Sequence, residues 1–429
     1  MRTIGARAAP EAVSLRRAAV GASWPRECGA VGAGARRPGG ATPWGRRAAA
    51  SDGAGQARGT VSGLRRVLCY LSAILLVARV IAKLEPGGAQ LSMLRVMREL
   101  RGNGITSTLY CGWATAAGIE LARSYGAEPE VWGEGGNLQW VPDPGFAAWL
   151  GPRLAADVVH AHMFGAWWAA ARAAPAATPL VASEHNQYLW PGRPRSAEMR
   201  EALRRVDVFF AHGPGARATV IAHGLPPERV REGVSPVVGT DARPAPGLPS
   251  PRIVFAGRLD PDKGPDILVE ALGLLRDPPP TLILGDGRMR AALQRRVREL
   301  GLTERVTFYG WVADPGSYIA GATVLAIPSR DESFSQTAII GLAHGVPVIG
   351  TEVDGFPATL GGGRGILVAP DDPRALAAAL QRVLGEALPR PRPLRSLAAH
   401  HAPARVAAIY ASTYRALVAS EAAGTRAAS

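Results

Sequence analysis

Arg258 and Lys263 stand five residues apart in "FAGRLDPDKG" (255–264), a loop tightened by Pro261 and Gly264. The apolar run before it reads as a strand ending at Gly257. Two cations fixed beyond the carboxyl end of a strand suit a diphosphate, because arginine offers a planar fork and lysine a compact charge. The plain alternative is a surface turn with two solvated cations. Composition argues against it: the chain has 47 Arg and only two Lys, Lys83 and Lys263. In such a background a lysine marks a specific task.

A second dense stretch is "DESFSQTAIIGLAHG" (331–345), set between the apolar runs "VLAIP" and "VPVIG". Ser335, Gln336 and Thr337 fall where a helix should begin. Unpaired amides and the helix dipole make such a start an anion site. Glu332, just upstream, can accept hydrogen bonds from sugar hydroxyls. A plain helix cap needs only one such residue, Ser335, and the stretch supplies more. Gly285-Asp286-Gly287, after another apolar run, is a turn that either contacts a ligand or simply joins a strand to a helix.

The first half has its own candidates. Gly87 and Gly88 in "EPGGAQ" would let backbone amides approach a phosphate or sugar. "DVVHAH" places His160 and His162 on one face of a strand by the period of two. "ASEHNQY" puts His185, Asn186 and Gln187 at another strand end, and "AHGPGARA" puts His212 at a further one. A metal held by His160 and His162 would need a third ligand, and the spacing offers none. Asp260 and Asp262 form a carboxylate pair, but Arg258 and Lys263 already supply charge in that loop. The pair reads as a turn. No metal is expected, and neither a Ser/His/Asp triad nor a P-loop is visible.

These loops need strands and helices to hold them. From about residue 77, β-rich runs alternate with helical stretches: "ARVIAK", "STLYCG", "DVVHAH", "TPLVASEH" and "VDVFFAHG", then, after the Pro-rich "TDARPAPGLPSP" (240–251), "RIVFAG", "TLILGD", "VTFYGW", "ATVLAIP" and "VPVIGT". Alternation of this kind predicts parallel strands with crossover helices. The expectation is an α/β protein of two doubly wound, Rossmann-like domains facing a cleft, at 66–245 and 246–395. A C-terminal helix (396–420) that packs on either domain and a tail (421–429) follow.

Length and charge set the remaining bounds. The chain has 429 residues, enough for two domains, and a formal net charge of +14. Twelve Arg against Glu11, Glu27 and Asp52 leave residues 1–66 at +9. The basic excess therefore belongs to a tail and does not point to nucleic acid. Residues 1–65 lack a hydrophobic period and read as a disordered extension or as translation from a start set too far upstream. An Arg-rich targeting peptide is the alternative. The apolar run 67–78 is too short for a bilayer, which needs about 20 residues. Three cysteines, Cys28, Cys69 and Cys111, form no disulfide or metal spacing. A cytoplasmic protein without membrane contact is expected.

Together these segments resemble the retaining glycosyltransferases of the GT-B fold, family four. The resemblance covers roughly residues 77–420. It is carried by "VFAGRLDPDKGPDILVEAL", "LILGDGRMRAAL", "VTFYGWV", "IPSRDESFSQTAIIGLAHGVPVIGTEVDGFPATL" and "RGILVAPDDPRALAAAL", with "GGAQ", "DVVHAH" and "SEHN" concordant in the first half. It implies a nucleotide-sugar-dependent hexosyltransferase in which Arg258 and Lys263 hold the diphosphate. Glu332 would bind the sugar's 3- and 4-hydroxyls, with the amides of Ser333, Phe334 and Ser335. His162 would meet the 6-hydroxyl. The helix start at Gln336–Thr337 would face the β-phosphate, Gly310 to Val312 would cradle the base, and Gly87, Gly88 and Gly285 would also lie against the donor. His185 and Asn186 are the acceptor-side candidates. No protein nucleophile is implied, and the leaving phosphate takes the acceptor's proton. The partners are a nucleotide sugar and a small acceptor; there is no cofactor, only the UDP-sugar as co-substrate.

The resemblance has two departures. Ile340 stands where the family has a second Glu that binds ribose, and "SPVVGTD" (235–241) replaces a common Asn-Gly-Val-Asp turn. Losing hydrogen bonds to a charged acceptor costs about 1.5–3 kcal/mol each. The chain is also similar to glycosyltransferases of aminoglycoside-antibiotic pathways, which implies transfer of N-acetylglucosamine from its UDP-sugar to 2-deoxystreptamine. Glu134, Asp143 and Glu184 are carboxylates that could meet such a dication. The alternatives are a cell-envelope or exopolysaccharide transferase with a lipid-linked acceptor, and a sugar-nucleotide-binding protein without catalysis.

Overall fold

The run "LLVARVIAKL" is apolar on both alternating faces, which only a strand covered on both sides tolerates. A computed structural model describes residues 74–133, 135–136, 138–185, 196–385 and 391–424, and there this run is the centre of a sheet. Seven strands form it: β1 (Leu75–Leu84), β2 (Ile105–Ala114), β3 (Pro129–Gly133), β4 (Val158–His162), β5 (Leu180–Glu184), β6 (Val208–Ala211) and β7 (Val230–Glu232). All pair in parallel, in the order β3-β2-β1-β4-β5-β6-β7. The second sheet has β8 (Ile253–Ala256), β9 (Thr281–Leu284), β10 (Val306–Gly310), β11 (Val324–Ile327), β12 (Val348–Thr351) and β13 (Ile366–Val368). Its order is β10-β9-β8-β11-β12-β13, again parallel.

Each sheet reverses direction beside its first strand, between β1 and β4 and between β8 and β11. Ligands of such sheets bind beyond the carboxyl ends of the strands at that reversal. The loops after these four strands carry Gly87–Gly88, Met163, Arg258–Lys263 and Glu332. Register fixes two of them side by side: Val324 pairs with Ile253 and Leu325 with Val254. The topology thus explains why two stretches some 70 residues apart in the chain share one site.

Six helices matter for that site: α1 (Gly88–Arg101), α2 (Pro214–Ala222), α3 (Pro265–Gly273), α4 (Gln336–Ala343), α5 (Arg395–His400) and α6 (Pro403–Ala422). The predicted single C-terminal helix is therefore two, and the long one starts at Pro403 rather than at 396. α5 packs against α4 in the second domain, whereas α6 lies on α1 in the first. Val406, Tyr410 and Tyr414 of α6 bury themselves with Val77, Val158 and Phe210. Each large side chain so buried contributes about 1.5–3 kcal/mol.

The chain consequently crosses between the domains twice, near Ser235 and near His401. The two crossings are bonded to each other: Val237 N–H donates to the His401 carbonyl at 2.9 Å, and His401 Nδ1 to the Ser235 carbonyl at 3.0 Å.

Residues 75–78 of the short apolar run belong to β1, and no helix among the described residues is long and apolar enough to cross a membrane. The rest of that run, the extension 1–65, Glu134, Asn186 and residues 425–429 lie outside the described residues.

Candidate active site

The two switch points face each other across a cavity of about 270 Å³. On the second-domain side, Lys263 ends a short 3₁₀ turn, and Gly264 follows it in the left-handed region at φ 61°. A Cβ there would lie 2.0 Å from the Pro328 carbonyl oxygen, so only glycine lets the loop press against the end of β11. The result is that Lys263 Nζ sits 3.0 Å from Glu332 Oε2 and 3.1 Å from the Asp331 carbonyl. Burial pushes the Glu332 carboxyl above its usual range, and Lys263 opposes the shift. Arg258 forks onto Asp260 and Asp262, the latter at 2.6 Å. Arg330 ties the loops together behind the site, with bonds of 2.9 and 2.7 Å to Asp266 and 2.7 Å to the Pro261 carbonyl.

Ser335 caps α4, its Oγ accepting from Ala338 N–H at 3.3 Å. That leaves the amides of Gln336 and Thr337 at the helix start, where no carbonyl lies one turn back, and both residues line the cavity. The Gln336 side chain has a separate task. Its Nε2 donates to the Gly88 carbonyl at 2.8 Å, and its Oε1 accepts from Arg95 at 2.8 Å. Arg95, buried on α1, also reaches the carbonyls of Pro236 and Ala313, at 3.2 and 3.5 Å. Arg95 and Gln336 bridge the domains, a role the sequence pattern did not reveal.

Most predicted residues converge here. Gly87, Gly88, His185, Arg258, Lys263, Gly285, Val312, Glu332, Phe334, Ser335, Gln336 and Thr337 all line the cavity, and so does Ile340. Three do not. Gly310 accepts a 2.7 Å bond from Gly285 N–H, and its neighbours Trp311 and Val312 line the wall instead. Ser333 turns its carbonyl toward Gly213 and Gly355. His162 is buried beneath the wall, which Met163 and His185 form in its place. Ile340, 3% exposed, packs among Val254, Ala256 and Ile327. It presents hydrocarbon at the cavity floor.

Two family models match the chain. Residues 86–232 match "Glycosyltransferase Family 4" and residues 250–386 match "Glycosyl transferases group 1". Between them they take in about two thirds of the chain. Both models describe glycosyltransferases, and each covers about a third of the chain. The D-inositol 3-phosphate glycosyltransferase of Jonesia denitrificans is 39% identical over 163 residues, 35% of this chain and 38% of that protein. Its counterpart in Streptomyces griseus is 34% identical over 172 residues, 36% of each chain. The chain thus spans less than half the length of these curated relatives. Among solved structures, HepE of Anabaena with UDP and glucose superimposes with a TM-score of 0.61 at 20% identity, over 82% of this chain and 99% of that one. A glycosyltransferase from Rickettsia africae gives 0.64 at 16% identity, over 80% and 98%. At these identities the likeness establishes the shared GT-B fold.

Behind its first-domain wall the protein holds a chain of imidazoles. His160 and His162 stack with centroids 4.3 Å apart, on one strand face as their spacing predicts, and His185 stacks on His212 at 4.0 Å. Arg79, 1% exposed in the middle of β1, donates to His160 Nδ1 at 3.1 Å and to His162 Nε2 at 3.3 Å. No carboxylate among the described residues pairs with it; its guanidinium lies over the Tyr414 ring at 5.6 Å. An arginine can only donate. His162 must therefore accept at Nε2, carry its hydrogen on Nδ1, and donate to His185 Nε2 at 3.3 Å. The hydrogen of His185, which lines the cavity, is then on Nδ1. Burial first, and for His160 and His162 also Arg79, hold these imidazoles neutral; His185 falls to about 4. A lone Arg inside an otherwise apolar strand was the sequence signal for this network.

Of the carboxylates expected to meet a dicationic acceptor, the two that are described are otherwise engaged. Asp143 accepts from Phe146 N–H at 3.0 Å as a helix cap. Glu184 is buried and accepts from Trp167 Nε1 and from the His185 amide.

At the cleft's edge, Asp354 of the second domain meets the start of α2 in the first and accepts from the Gly215 amide. Its Oδ2 is buried without a hydrogen bond among the described residues. Burial, then neighbouring Asp331, raise its pKa to about 6. The folded state therefore favours the protonated form. That advantage is complete below an ordinary carboxylate pKa of about 4 and is lost as pH rises through about 6. Asp354→Asn is expected to raise the melting temperature above about pH 6 and to leave it unchanged near pH 4, as melting scans across that range will read.

Proposed function

We propose that the protein transfers a sugar, with retention, from a nucleoside diphosphate sugar to a hydroxyl of a cyclitol. The observation that carries this reading is the convergence of Arg258, Lys263, Glu332 and the start of α4 on one cavity opposite Gly87 and Gly88. Charge grows on the departing diphosphate as the anomeric bond breaks. Fixed cations and helix amides stabilise that charge more as it develops, which lowers the barrier. Glu332, positioned by Lys263, offers a carboxylate to the hydroxyls of the transferred sugar. The same-face departure leaves the phosphate to take the acceptor's proton. Arg258 is neutralised by Asp260 and Asp262 until a diphosphate competes for it.

The acceptor class rests on the relatives. The relatives above are named for D-inositol 3-phosphate, whereas none of those reported is an aminoglycoside-pathway enzyme; the aminocyclitol expected from the sequence shares only the cyclitol ring with their acceptor. UDP-N-acetylglucosamine is the proposed donor. The test is a mass-spectrometric screen of UDP- and GDP-sugars against myo-inositol, D-inositol 3-phosphate and 2-deoxystreptamine. A glycosylated cyclitol with release of UDP is expected. Donor consumed with none of the three, or a protein that releases no nucleotide, would overturn the reading and leave the non-catalytic alternative.

A further inference from the structure

Both lysines of the chain line the same cavity, one on each wall. Lys263 belongs to the diphosphate clamp. Lys83, near the carboxyl end of β1, has no part in it. Its ammonium pairs with Glu85, which also lines the cavity, and the two side chains are 20% and 26% exposed. Gln90 Nε2 donates to the Lys83 carbonyl at 3.2 Å, so the backbone under the pair is fixed to α1.

We infer that Lys83 and Glu85 form the recognition pair for the acceptor, reading adjacent hydroxyls of a neutral polyol ring. Three features assign it so. The lysine has three donors and spends one on Glu85, leaving two for the cavity. Glu85 neutralises the ammonium, so the pair presents no net charge to the cavity. A donor and an acceptor side by side match what vicinal hydroxyls present, since each hydroxyl both gives and accepts a hydrogen bond.

The charge of the wall points the same way. Its other cation, Arg95, is engaged with Gln336 and two carbonyls. Its histidines, His185 and His212, are held neutral. Among the described residues, the wall offers a diammonium ring one carboxylate, already paired, against two cations. A neutral ring suits it better than 2-deoxystreptamine.

The assignment rests on the transferase reading, and the test separates the two. With the full chain, UDP is titrated first, and then myo-inositol, D-inositol 3-phosphate and 2-deoxystreptamine are titrated into the UDP complex by calorimetry. Lys83→Met and Glu85→Gln are expected to weaken inositol binding at least tenfold. UDP affinity should stay within twofold, and the melting temperature should be nearly unchanged because a partly exposed pair adds little stability. Tighter binding of 2-deoxystreptamine or of D-inositol 3-phosphate than of myo-inositol to the wild type would overturn the assignment. So would variants that bind inositol normally, or variants whose loss falls on UDP. A wild type that does not bind UDP would instead overturn the transferase reading, and this assignment with it.

Discussion

Lys263→Ala is expected to lower turnover at saturating donor by about 10²–10³-fold, the cost of removing one preorganised group that meets developing charge. The loss is double. On the proposed mechanism the departing diphosphate would lose a cation, and Glu332 would lose the partner 3.0 Å away that opposes its protonation. With burial already raising its pKa, Glu332 in the variant takes up a proton and offers sugar hydroxyls a donor where an acceptor is required. The same coupling sets the stability cost. Protonation spares the fold a buried unpaired charge, so destabilisation is small at low pH. It grows as pH rises toward the new, higher pKa of Glu332 in the folded state. Turnover measured beside melting temperature at two pH values checks both halves. Normal turnover in Lys263→Ala would displace the diphosphate from this clamp.

Gly285→Ala is expected to act through the fold. Gly285 has φ 154°, and a Cβ there would stand 1.8 Å from the Gly257 carbonyl oxygen, at the root of the Arg258 loop. Neither the backbone of β8 nor that of β9 can yield without breaking the Gly257-to-Leu284 bond of 3.0 Å. A loss of about 4–5 kcal/mol, the exceptional end for one substitution, should appear as a lower urea midpoint and lost UDP binding. Gly247 is the control: it has φ 74°, but a methyl added there would meet nothing within 4 Å. Alanine at that position should cost only about 1 kcal/mol of backbone strain.

Much of this was legible in the chain. The ten quoted runs are all strands; most are buried on both faces and therefore continuously apolar, and the edge strand β10, half exposed, still carries Val306 and the aromatics Phe308 and Tyr309. The strands not anticipated are β3, β7 and β13. All three are sheet edges, and β3 and β13 are only half buried, so their sequences carry no strong hydrophobic pattern. The clamp was legible because its charges are local to one loop. Gln336's bridge to Gly88 and Arg95 was not, since it joins residues about 240 positions apart and no local spacing encodes it. His162 illustrates the same limit. Periodicity placed it on the face of His160, but both rings lie beneath the wall, bonded to Arg79 of the neighbouring strand, and that cross-strand pairing leaves no mark in the local spacing.

The two hydrogen-bonded crossings at Ser235–Val237 and His401 have a mechanical consequence. A single linker lets one body swing and twist about the other. A two-ply strap resists torsion and sliding and yields only to bending. Opening of the GT-B halves thereby reduces to one angular coordinate about the line of the strap. Displacement grows with distance from that line, so a bend at the strap would part the walls most at the margin opposite Ser235 and His401, like a book held at its spine.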